Sequence, residues 1–339
     1  MPRWGQKLMA GIGIICFAGS YGAALGLEVL RLWFAGRVHR VFRVALAGAG
    51  LVAHSLFLGY RAVTVVGTPL SSEMDWCLLA AWFLVVIYLV FLFAYPRTPF
   101  GLVLLPLALG LIGAGGGWAS RQPYSQPAAS RIWGLIHAGS LLLATVAVLV
   151  AFAVGLLYLL QAYRLKRRHG PMEGFWLPSL EWLERMNVRA LAAAVATLAV
   201  GVFGGMVLNW INYQQQVPPL PWRDPLVMTT LAMFWWLLVA LVLAVWYRPA
   251  DQARKVAFIT IISFIFLLIA LAALLLMDTS HGRMRNPWLD QSGLNQTGRC
   301  VASPQMEAWQ ESSLKNGIWG GSAGRPSTGP IRPTCPSEM

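Results

Sequence analysis

Eight stretches of this chain are apolar and free of charged side chains over nearly the length of a membrane crossing. No other feature restricts the possible folds as severely. They are Leu8–Leu27, Val44–Tyr60, Trp76–Tyr95, Phe100–Trp118, Ile132–Tyr163, Ala190–Tyr213, Leu226–Tyr247 and Val256–Met277. A helix needs roughly 20 such residues to cross a hydrocarbon core. Inside that core only helices and closed barrels satisfy their own backbone polar groups. The spacing predicts an all-α, polytopic membrane helix bundle of about eight transmembrane helices. Only 12% of the 339 residues are charged, against about 25% in soluble domains. The short second run is expected to extend past Arg43, whose long side chain reaches to the interface. The long fifth run is expected to tilt strongly or to begin along the surface. Glu28, near Arg31, reads as an interfacial ion pair.

The loops set the orientation. Fourteen lysines and arginines fall in one set of loops, including Arg31, Arg37, Arg40 and Arg43, and the run from Arg164 to Arg189; the opposite set carries six, leaving aside the long tail. The positive-inside rule places the richer set in the cytoplasm and both termini outside. The same distribution argues against nucleic acid as the reason for the net charge of +13, because the basic residues flank spans and do not cluster on one face. Segment 164–168 reads as a basic anchor on anionic lipid, and the amphipathic Leu180–Val188 as a helix lying along the interface. From Gly282 onward Gly, Ser, Pro, Asn and Gln dominate. The expected organisation is a membrane domain over 1–281 and a mostly disordered external tail over 282–339. The N-terminus shows no small-x-small cleavage pattern and reads as a retained first helix. Cys16 and Cys77 read as small core residues, while Cys300 and Cys335 are able to pair in an oxidising compartment. No CxxC occurs, so no covalent haem-attachment motif is present.

The residues able to carry chemistry gather at the predicted outer face. His137 opens the fifth span and His281 follows the eighth. Two neutral imidazoles at one depth are what axial ligation of haem iron requires; two interfacial histidines with their tips in water fit the same pattern. Asp278, three residues before His281, is placed to accept the other ring N–H. In the stiff Val217–Pro225 loop and beside it, Trp210, Tyr213 and Trp222 offer flat faces to a porphyrin and Arg223 a partner for a propionate; an aromatic belt uses the same residues at this depth. Asp224 and Pro225 read as the N-cap and first residue of the seventh helix. His54, within the second span, is either a functional intramembrane group or a neutral imidazole bonded to a neighbouring helix. There is no Ser-His-Asp candidate, zinc motif or phosphate loop, so any enzymatic role stays open.

Taken in order, the pieces from about Ala45 to Gly282 resemble the CcsA/HemX-like cytochrome c assembly family. VAHSLFLGYRAVTVVGTPLSSEMD looks like the family's early helix and loop, and HAGSLLLATVAVLVAFAVGLLYLLQAYRLKRR like its histidine-led helix. LPSLEWLERMNVRALAAAVATLAVGVFGGMVLNW is similar to its connector and glycine-containing helix, and DTSHG stands where the family has its second external histidine. The resemblance implies a haem-binding or haem-presenting component of c-type cytochrome biogenesis in the bacterial inner membrane. It implies haem b as cofactor and His137 and His281 as its ligands. Trp222, Asp224 and Pro225 would be the surviving part of the family's tryptophan-rich loop, and membrane lipid, a CcsB-like membrane partner and apocytochrome c the partners. Only W-x-D-P remains of the fuller loop motif, and the helix after it carries no histidine. Both departures place the chain nearer the HemX-type, accessory end, where a regulatory or scaffold protein in haem biosynthesis is the other expectation. A small-molecule transporter is the third, and no charged residue near the centre of a span supports it.

Overall fold

The computed structural model describes residues 3–33, 37–64, 72–96, 98–120, 131–167, 177–214, 223–246 and 250–276. All lie in the first of two units into which the chain divides, Met1–Arg285; the second, Asn286–Met339, holds Cys300 and Cys335 and lies outside the described residues. The described residues form eight helices and no strand: α1 (Arg3–Leu30), α2 (Arg37–Thr64), α3 (Glu73–Ala94), α4 (Gly101–Gly117), α5 (Arg131–Lys166), α6 (Leu180–Gln214), α7 (Pro225–Trp246) and α8 (Ala250–Leu276). Seven are long and apolar enough to cross a membrane. The shorter α4 has 17 residues, a rise of about 26 Å. Trp118, an interfacial residue type, follows its last turn.

Two sets of helices share one long element. In the first, α1 packs on α2 and α4, and α3 on α2 and α4; in the second, α6 packs on α5, α7 and α8, and α8 on α5 and α7. α5 joins them, because it also packs against α3 and α4. It is one continuous helix of 36 residues, which spans about 54 Å, so no separate surface segment opens it. Trp182 near the start of α6 makes a second joint. Its indole N–H donates to Tyr95 Oη at 3.1 Å, and its ring meets Phe91, Tyr95 and Phe100 edge-on or tilted.

Three expectations need correction. Leu180–Val188 does not lie along the interface as a separate helix but forms the first turns of α6. Leu183, Asn187 and Leu191 are buried in a row at four-residue spacing, and the same stripe runs on into the span. Arg43 does not snorkel. It is 2% exposed, and its Nη1 donates to Glu28 Oε1 at 2.6 Å, while Arg31 Nη1 stands 3.7 Å from Glu28 Oε2. The pair is therefore a buried contact between α1 and α2, and Tyr88 Oη of α3 donates to the same Glu28 oxygen at 3.0 Å. Cys16 is exposed, whereas Cys77 is buried as expected. Hydrocarbon tails and protein core are equally apolar, so an apolar neighbourhood in sequence does not say which of the two a side chain meets.

Candidate functional site

His137 sits six residues into α5, facing α6. Its ring Nδ1 lies 2.7 Å from the backbone carbonyl of Gly201. A carbonyl only accepts, so Nδ1 carries a proton, and in the neutral ring Nε2 keeps its lone pair. The Gly201 oxygen has the second lone pair this needs beyond its helical bond. Nε2 has no hydrogen-bond partner among the described residues. A neutral imidazole whose other nitrogen is tied to a carbonyl is the arrangement of a metal-ligating histidine. Trp133, one turn earlier on α5, meets Phe203 of α6 edge-on with centroids 6.4 Å apart. Neither Trp133 nor Gly201 stands out in sequence as part of this site. The glycine lies 64 residues beyond the histidine, and only the α5–α6 contact brings them together.

The second imidazole, His281, lies outside the described residues, as do Asp278 and Trp222. Arg223 is exposed. Trp210 is 64% exposed; six residues past Gly204, it points about 120° away from the α6 face that meets His137. Asp224 is buried, and its Oδ1 accepts from the Leu226 N–H at 2.9 Å at the start of α7. The predicted cap is therefore in place. Replacing Asp224 by alanine should cost about 1 kcal/mol and lower the thermal midpoint in detergent by a few degrees, read by tryptophan fluorescence.

His54 belongs to the other set of helices. Its ring stacks on Phe17 with centroids 4.1 Å apart and planes 4° from parallel. Its Nδ1 is 3.3 Å from Tyr21 Oη, and its Nε2 is enclosed without a partner. The contact with Tyr21 bonds the imidazole to the neighbouring helix α1. It contributes to the α1–α2 contact, and the fold does not bring it to the α5–α6 contact where His137 lies. Among the described residues no three His, Cys, Asp or Glu side chains converge to hold a metal ion.

The described residues form eight helices and no strand, and seven of these helices are able to span a bilayer, which makes this a multi-pass membrane protein. No family model, curated protein or solved structure matches the chain.

Proposed function

We propose that the protein binds haem at the outer face of the bacterial inner membrane and presents it during c-type cytochrome maturation. The observation that carries this reading is the His137 imidazole, with Nδ1 on the Gly201 carbonyl at 2.7 Å and Nε2 left as a lone-pair donor. That donor suits haem iron, and the sequence resemblance to the cytochrome c assembly family points to the same residue. In this proposal His137 and His281 hold the iron from two sides. Arg223, exposed at the head of α7, pairs with a propionate. The bound haem is the cargo delivered to apocytochrome c, with a CcsB-like membrane protein as partner. The chain's own part is to bind and orient: α5 and α6 hold one ligand, and Asp224 fixes where α7 begins.

An absorption spectrum tests this. Protein purified in detergent from haem-replete cells should show a Soret band, and the H137A/H281A double variant should lose it. A periplasm-dependent reporter fused after Met339 should be active, and a silent one would reverse the orientation. A scaffold role in haem biosynthesis is the second reading. It is favoured by a loop in which Asp224 has a helix cap to make and by the lack of a histidine in α7. A colourless wild type from haem-replete cells would select it.

A further inference from the structure

We propose that Gly201, Gly204 and Gly205 form a seat on α6 that holds the His137 ring as its Nδ1-protonated tautomer, making Nε2 the ligating atom and Gly205 a positioning residue. The identity of the ligand as haem rests on the function proposed above; the seat itself does not. The three glycines lie at i, i+3 and i+4, hence on one helix face. The absence of three side chains lets α5 approach closely. A methyl group added at Gly204 would come 3.4 Å from both Cα and Cβ of His137, so α5 runs directly over this point. One added at Gly205 would stand 3.0 Å from His137 Cε1 and 3.1 Å from Nδ1, but 3.9 Å from Nε2. The edge of the ring that makes the hydrogen bond is therefore the edge pressed against Gly205, and Nε2 is turned away from it. One turn further along α5, a methyl at Gly201 would come 2.9 Å from Leu141 Cδ2.

Contacts of 3.0–3.1 Å at a new Cβ force something to give. The α5 backbone is held over Gly204, so the ring has to move, and the 2.7 Å bond from Nδ1 to Gly201 O is what holds it in place. Displacing the ring therefore weakens the tautomer lock. Loss of the partner that orients a ligating histidine typically costs 10–100-fold in metal affinity. Gly139 supplies the control. It is two residues from His137 on the same helix, and a methyl there meets nothing within 4 Å.

The experiment uses full-length protein in detergent, labelled with ¹⁵N in its histidine rings and purified from haem-starved cells. The H137Q difference spectrum assigns the ring. Wild type and G139A should show a protonated, pyrrole-type Nδ1 and an unprotonated, pyridine-type Nε2, and G205A should lose that single pattern to exchange between tautomers. In haem-loaded protein G205A should bind at least about tenfold more weakly, with G139A unchanged. A wild-type ring protonated on Nε2 overturns the proposal, and that measurement needs no variant to fold. A G205A protein matching wild type in tautomer and haem affinity overturns it too. A colourless wild type that keeps the expected tautomer leaves the seat supported and removes haem as its ligand.

Discussion

Alanine at Glu28 should lower the thermal midpoint of the detergent-solubilised protein by on the order of 10 °C and cut the folded yield. Glu28 is 1% exposed, Arg43 2% and Arg31 5%. The carboxylate receives Arg43 at 2.6 Å and Tyr88 at 3.0 Å, with Arg31 Nη1 at 3.7 Å. Removing it leaves two guanidiniums close together, out of water, without the negative charge between them. Breaking a buried pair from one side costs about 3–5 kcal/mol, a large part of the roughly 5–15 kcal/mol that keeps a domain folded. No neighbour can slide in to compensate. Gly101 of α4 packs so tightly here that a methyl group on it would lie 2.7 Å from Glu28 Cγ and from Tyr88 Cε2. Replacing Glu28 and Arg43 together should be milder than replacing Glu28 alone, because a buried pair exchanged for apolar groups of similar volume is often neutral and only Arg31 is then left beside the lost carboxylate. The E28M/R43M variant is thus expected to recover only part of the E28A loss, because Arg31 still loses the carboxylate. Tryptophan fluorescence melts of wild type, E28M, R43M and E28M/R43M form the cycle, with E28A measured beside them. An E28A protein as stable as wild type would show that the carboxylate does not hold α1, α2 and α3 together.

The helices were legible because hydrocarbon demands apolar residues over a fixed length, and that demand is local in sequence. What faces what is not local. Glu28 points in sequence to Arg31, one turn away, yet its short bond is to Arg43 on the next helix. The start of α6 differs from its sequence pattern for a related reason. Glu181, Glu184, Arg185 and Arg189 lie away from its packed stripe and give it the two-faced pattern of an interfacial helix, but Leu183 and Asn187 continue the stripe of the span itself. His137 could be singled out as an imidazole at a helix end, but not the carbonyl that orients it. The glycines of Gly201-V-F-G-G are visible in sequence, but not that α5 is the helix lying against them.

Arg61 should prove the other residue whose loss the fold tolerates poorly. At the start of α3, Asp75 is 2% exposed and Ser72 1%. Asp75 Oδ1 receives Arg61 Nε at 2.5 Å, and Oδ2 receives Arg61 Nη2 at 3.3 Å, the Ser72 hydroxyl at 2.6 Å and the Ser72 N–H at 3.2 Å. Ser72 Oγ in turn accepts from the Asp75 N–H at 3.2 Å, closing a capping box. Arg61 thus ties the last turn of α2 to the first turn of α3. Its guanidinium fork is what makes two contacts to one carboxylate possible. R61A leaves the carboxylate with the serine contacts and the favourable end of the helix dipole, and should cost about 3 kcal/mol. R61K keeps the charge but loses the fork, so its melt should fall between R61A and wild type. If R61A melts like wild type, the carboxylate needs no more than its cap. The haem proposal makes a separate demand on the same variant. Arg61 acts at the α2–α3 contact and His137 at the α5–α6 contact, so R61A should melt early yet keep the Soret position of wild type. A displaced Soret band in R61A protein that is still folded would mean that the ligand also depends on the α2–α3 contact, and a site built on α5 and α6 would have to be extended to that end of the first set of helices.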